Sequence, residues 1–158
     1  MPSASDLLGD RRRVLVTGGA GFIGGAVVRR LLRETTVTVF NLDKMGYASD
    51  LSSIEEVLSE LGEAANDRHR LQQVDLTDAA AVEAAVQEAD PDLVMHLAAE
   101  SHVDRSISGP GVFIESNVNG TYNLLQAVRG HYEGLSGERR NGFRMHHIST
   151  DEVFGSLG

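Results

Sequence analysis

The sequence contains no cysteine, only three prolines and a single lysine, Lys44, in 158 residues. Without cysteine there can be no disulfide and no thiolate metal site. No apolar run approaches the ~18 residues of a membrane span, and residues 1–13 lack the apolar stretch of a secretion signal. A soluble cytoplasmic protein is therefore expected. Basic residues are also few: 14 Lys and Arg stand against 23 Asp and Glu, a net charge of −9. That balance disfavours nucleic acid or an anionic membrane as partner, while one bound nucleotide remains compatible with it. Internal repeats and low-complexity tracts are absent. The length suits one domain, which can bury roughly two-thirds of its unfolded surface.

The most informative stretch follows a loose-looking leader, residues 1–10, too poor in apolar residues to be expected to pack. Arg11, Arg12 and Arg13 read as a solvated lead-in. Val14, Leu15 and Val16 then give way to glycines at Gly18, Gly21 and Gly24. This pattern predicts a strand, a phosphate-binding turn and a helix opening at about Phe22, with free N–H groups and the positive end of the helix dipole aimed at an anion. A dinucleotide site also needs an acid on the adenine ribose, at the end of the next strand. Asp43, closing a β-branched run from Thr36 to Leu42, stands about 25 residues after the first glycine and fits that place. Its carboxylate would accept both ribose hydroxyls and repel a 2′-phosphate, which predicts NAD over NADP.

Further along, the first helix places Ile23, Val27 and Leu31 on one stripe. Residues 52–61 read as a helix capped by Ser52 or Ser53, and residues 63–70 as a surface loop. Leu71 to Leu76 is expected as a third strand, and Thr77 or Asp78 as the cap of a helix ending near Ala89. Asp75 is either a strand-end acid or an adenine contact. Residues 92–98 form an apolar run suited to a strand buried on both faces, inside which His96 reads as a satisfied core histidine rather than a ligand. Ala98 and Ala99 leave room for a ligand at the carboxyl edge of the sheet. After an irregular stretch, a long helix is expected over 112–132. It contains Asn117, Asn119 and Gly120, which marks either close packing or a locally weak helix. A charged loop over 133–142 and a fifth strand over 143–148 follow. His146 and His147 then face opposite sides and cannot easily share a metal. This rhythm predicts an α/β, Rossmann-type doubly wound parallel sheet of order 3-2-1-4-5, spanning residues 11–158.

The runs TGGAGFIG at 17–24, LDK at 42–44, VDL at 74–76, HLAAESHVDRS at 96–106 and HHISTDEVFG at 146–155 resemble the extended short-chain dehydrogenase/reductases, and within them the dTDP-glucose 4,6-dehydratases. The likeness covers the first half of such an enzyme. It implies an NAD-dependent lyase acting on a nucleotide-sugar, with Glu152 as base, Asp151 as acid and Thr150 on the C4 oxygen. It also implies cofactor contacts at Gly18, Gly21, Gly24, Phe22, Ile23, Asp43, Lys44, Asp75, Leu76, Leu97, Ala98, Ala99, Glu100, Ser101 and Ser116, with Ser101 also touching the sugar. No metal is implied. Pairing of two copies through the long fourth helix is what the superfamily suggests. Phe154 replaces the tyrosine usual in the family, with little effect expected on the chemistry.

Such enzymes use a tyrosine four residues before a lysine to take the C4 hydroxyl proton. Tyr47, Tyr122 and Tyr132 are followed at that spacing by Leu51, Gln126 and Ser136. The resemblance therefore implies a truncated chain, unable by itself to turn over substrate. Two alternatives stand beside this reading: a non-catalytic NAD-binding or interaction module, and a UDP-glucose 4,6-dehydratase.

Overall fold

Val14, Leu15 and Val16 have no exposed surface, as an unbroken apolar strand requires when both faces of its sheet are covered. In the computed structural model, which describes residues 4–155 apart from the side chains of Leu7, Val103, Arg105, Ser106, Asp151 and Glu152, they form the middle of the central strand. The chain runs α1 (Ala4–Leu8), β1 (Arg13–Thr17), α2 (Phe22–Glu34), β2 (Thr38–Asp43), α3 (Ser52–Leu61), α4 (Glu63–Asn66), β3 (His69–Gln73), α5 (Ala79–Ala89), β4 (Leu93–His96), α6 (Val103–Ser108), α7 (Pro110–Phe113), a π-helical segment (Ile114–Gly120), α8 (Thr121–Gly134), α9 (Gly137–Gly142), β5 (Arg144–His147) and a 3₁₀ turn (Asp151–Phe154).

All pairings are parallel and the order is β3-β2-β1-β4-β5, as the sequence predicts. Thr17 lies opposite both Leu42 and His96, so β1, β2 and β4 finish level at their carboxyl ends. Alternation along each strand sends side chains into two cores. On one face Leu15, Phe40, Leu42 and Val94 meet Val82 and Val86 of α5 and Leu124 and Val128 of α8. On the other, Val14, Val16 and Val39 meet Val28, Leu31 and Leu32 of α2 and Ile54 and Val57 of α3.

Several local expectations are corrected. The leader does pack: Ala4 and Leu8, four apart in α1, are both buried, and Leu8 joins the second core. Arg13 is not solvated. Its guanidinium caps the last carbonyls of α5, Ala89 O at 2.6 Å and Glu88 O at 2.9 Å, and lies over the Phe40 ring. The buried face of α2 is Gly24, Gly25, Val28, Leu31 and Leu32, because the glycines draw that side onto the turn; Ile23 is exposed. Neither serine caps α3: its N-cap residue is Leu51, without a side-chain cap bond, and Asp50 just before it accepts from the Ser52 N–H and hydroxyl. Those bonds hold its carboxyl below the usual range. β3 begins two residues earlier than expected, because Val39 N–H reaches Arg68 O and sets the register there. Residues 63–66, 103–108, 110–113 and 137–142, read as loop or as part of one long helix, form short helices.

Candidate functional site

The site is built where β1 ends. Gly18 takes φ +69°, a conformation that favours glycine, and a Cβ there would come within 2.7 Å of Ala98 Cα. Its N–H donates to Leu42 O at 2.8 Å, and its carbonyl accepts from Gly21 N–H at 3.0 Å. Gly24 completes the turn, since any Cβ on it would overlap the Gly18 carbonyl. The helix that follows has Gly21 as its N-cap residue, which offers no side-chain cap. Bare backbone thus faces the end of the sheet at the positive pole of α2, the arrangement that takes a diphosphate.

Asp43, buried at the end of β2, is held in a defined orientation. One carboxylate oxygen accepts from Ala20 N–H of the glycine turn at 3.0 Å. The other accepts from Met45 N–H at 2.9 Å and the Ser49 hydroxyl at 2.7 Å. Met45 adopts φ +55° to do so, and Asp50 N–H closes the loop onto Ala20 O. Lys44 pairs with Glu100 at 2.6 Å.

Beside these, Thr17 Oγ1 accepts from the N–H groups of Leu97 and Ala98 at 3.3 and 3.2 Å. Its own proton therefore goes to His96 Nδ1 at 2.6 Å, and Nε2–H of the same ring is left for Thr121 Oγ1 at 3.0 Å. The histidine is satisfied, as predicted. Burial, with the neighbouring His147 adding to it, pushes its pKa down to about 4. The segment it precedes, Leu97–Ser101, is anchored a second time. Asn117 accepts from Glu100 N–H at 2.8 Å and donates to Glu100 O at 2.9 Å, completing a two-bond clamp.

Asn117 belongs to the π-helical segment, which replaces the first part of the expected long helix. Gly120, at its end, approaches so closely that a Cβ would stand 2.9 Å from Leu76 Cβ. Asn123 meanwhile donates to Leu76 O. Of the two explanations open for Asn117, Asn119 and Gly120, close packing accounts for Asn117 and Gly120, while Asn119 only reaches Glu115 on the exposed side.

The structure therefore brings Gly18, Gly21, Gly24, Asp43, Lys44 and Leu97–Ser101 to one edge. Phe22 and Ile23 stand exposed there at the start of α2, and Ser116 is half-buried in the π segment. β3 stops at Gln73, short of the expected strand end, and Asp75, two residues beyond it, turns its carboxylate onto Thr77 N–H and hydroxyl, leaving Leu76 to pack inward. Thr150 follows β5, whose register against β4 and whose Ile148 N–H···O His96 bond bring the chain out at the same edge. The side chains of Asp151 and Glu152 lie outside the described residues. Thr17, Ser49 and Thr121 were not singled out by sequence reasoning, and Asn117 only as one of three poor helix formers, without a partner.

Comparison with known proteins agrees with this architecture. The chain is 52% identical over 147 residues to the dTDP-glucose 4,6-dehydratase of Neisseria meningitidis, covering 93% of this chain and 40% of that one. It is 49% identical over 145 residues to dTDP-glucose 4,6-dehydratase 1 of Escherichia coli, covering 92% and 38%. It thus spans about 40% of the length of these curated relatives. Among solved structures, the dTDP-glucose 4,6-dehydratase DesIV of Streptomyces venezuelae, with NAD bound, superposes with a TM-score of 0.73 at 38% identity, covering 92% of this chain and 42% of that one. The UDP-glucose 4-epimerase of Thermus thermophilus, in complex with NAD, gives 0.61 at 37% identity, covering 75% and 34%. The GDP-mannose 4,6 dehydratase family model matches residues 15–158, and the chain belongs to that family.

Proposed function

We propose that this chain binds NAD and contributes the cofactor-binding part and the acid–base pair of a nucleotide-sugar 4,6-dehydratase, with dTDP-glucose as substrate. The observation that carries the proposal is the convergence of the glycine turn, Asp43 and the carboxyl end of β5, which leads into Thr150, on one edge of the sheet. The turn is open, backbone-lined and set at a helix N-terminus, which fits a diphosphate. The oriented Asp43 carboxylate fits a ribose diol and opposes a 2′-phosphate.

NAD, held by the glycine turn and Asp43, would supply a hydride acceptor for sugar C4 and a hydride donor for C6. The residues of the chain handle the protons. The C4 ketone acidifies the C5 proton, which Glu152 removes as Asp151 protonates the C6 hydroxyl and water leaves; Glu152 later returns a proton to C5. Thr150 donates to the C4 oxygen and keeps the ketone polarised. The base for the C4 hydroxyl proton is not among the tyrosines of this chain, none of which precedes a lysine by four residues. A cytoplasmic location and pairing of two copies along α8 and the π segment before it, where Tyr122 and Leu125 of the one and Val118 of the other are exposed, are part of the same proposal. Among the described residues no helix is long and apolar enough to cross a membrane.

Calorimetric titration is expected to show saturable NAD binding, with NADP weaker. The chain alone should give no 4-keto sugar. Fused to the carboxyl-terminal part of a relative carrying the Tyr-x-x-x-Lys pair, it should convert dTDP-glucose, and Glu152→Gln in the fusion should cost about 10²- to 10⁴-fold in turnover. Absence of NAD binding, or a fully active Glu152→Gln fusion, would overturn the proposal.

A further inference from the structure

The sole lysine of the chain does not point where its sequence position suggests. Lys44 follows Asp43 at the end of β2, beside the place where a ribose 2′ substituent would lie, and a cation there is what a 2′-phosphate would use. Its side chain instead crosses the carboxyl end of β1 to meet Glu100, beyond the end of β4, at 2.6 Å. Glu100 is well placed to hold the lysine. Its side chain is only 11% exposed, and its main chain is fixed at both N–H and C=O by the Asn117 clamp.

We infer that Glu100 is a specificity-determining residue that enforces NAD over NADP by holding Lys44 across β1 and neutralising it. The inference rests on the NAD-binding reading above. Asp43 repels a 2′-phosphate directly, and Glu100 removes the cation that could otherwise compensate. A charge paired at such short range presents a dipole rather than a monopole to an approaching phosphate, so its attraction falls off steeply with distance. The arrangement differs from a simple acidic guard because discrimination then depends on a residue about two strands away from the ribose acid.

The test is calorimetric titration of the 158-residue chain with NAD and with NADP at one fixed ionic strength, for the parent and for Glu100→Gln, Lys44→Ala and the double variant. Glu100→Gln should lower the ratio Kd(NADP)/Kd(NAD) about tenfold or more by freeing Lys44. The double variant should return the ratio to within about threefold of the parent, since the freed cation is gone. Glu100→Asp, which keeps the charge, should stay near the parent. A ratio unmoved by Glu100→Gln, or two dissociation constants that change by the same factor, overturns the inference and assigns the ion pair a structural role. Failure of the folded parent to bind NAD at all overturns the NAD-binding reading and this inference with it.

Discussion

Thr17 Oγ1 and His96 Nδ1 lie 2.6 Å apart at level positions on adjacent strands. The bond links the start of the glycine turn to the start of the Leu97–Ser101 segment. Because the threonine hydroxyl already accepts two backbone N–H groups, it can only donate to the ring, and it does so only while His96 is neutral.

The pKa of about 4 for His96 sets the sign of a pH dependence. Between about 6.5 and 4 the unfolded chain carries the proton and the folded chain does not, so stability falls as pH drops through that window. The full shift corresponds to about 3 kcal/mol. His69, whose pKa burial also lowers, adds in the same direction. Urea denaturation at pH 7 and pH 5 should show the parent losing stability at the lower pH. His96→Gln should show a smaller loss, because the group that charges on unfolding is gone. Equal pH slopes for both proteins would show that His96 is not the titrating group.

Gly24 and Gly25 are neighbours on the buried face of α2, yet they differ in what surrounds them. A Cβ at Gly24 overlaps the Gly18 carbonyl, which cannot move without opening the turn; at Gly25 the nearest atom is the flexible end of Arg29, at 3.4 Å. Gly24→Ala should therefore destabilise the fold by about 1–3 kcal/mol as an overpacked site and abolish NAD binding. Gly25→Ala should be neutral or slightly stabilising through its better helix propensity. Thermal unfolding paired with NAD titration distinguishes the two.

Much of this arrangement was legible in the sequence because it rests on local rules. The strand order follows from strands alternating with helices, the Asp78 cap from its place before an alanine-rich helix, and the fate of His96 from its position inside an apolar run. What was not legible depends on tertiary approach. The buried stripe of α2 is turned by the contact of Gly24 with Gly18, not by the spacing of Ile23, Val27 and Leu31. At α3 the serines do not cap because the helix starts at Ser52 after Leu51, and the Ser52 donors go back to the Asp50 carboxylate. An i→i+5 segment has no composition of its own; the weak formers Asn117, Asn119 and Gly120 indicated a departure from α-helix without saying which. The contacts that select it, Gly120 on Leu76 and Asn117 on Glu100, join residues far apart in the chain.

The π segment and the Asn117 clamp should therefore stand or fall together. Asn117→Ala removes both bonds to Glu100 and leaves its N–H and C=O to find other partners, a loss of about 1–3 kcal/mol. Hydrogen exchange at the Glu100 amide should accelerate, and NAD affinity should drop by tenfold or more as the segment carrying Ala98, Ala99 and Ser101 loses its anchor. Deleting Val118, an exposed residue of the same segment, offers a sharper test. One residue fewer lets the segment close into regular α-helix; the turns on either side keep their faces, while the residues inside the segment are re-aimed. Asn117 is then carried away from Glu100 with its side chain chemically intact. Exchange at Glu100 as fast as in Asn117→Ala would show that the extra residue exists to aim the clamp. Retained protection would show that the asparagine reaches Glu100 whatever the helix type, and the π segment would need another explanation.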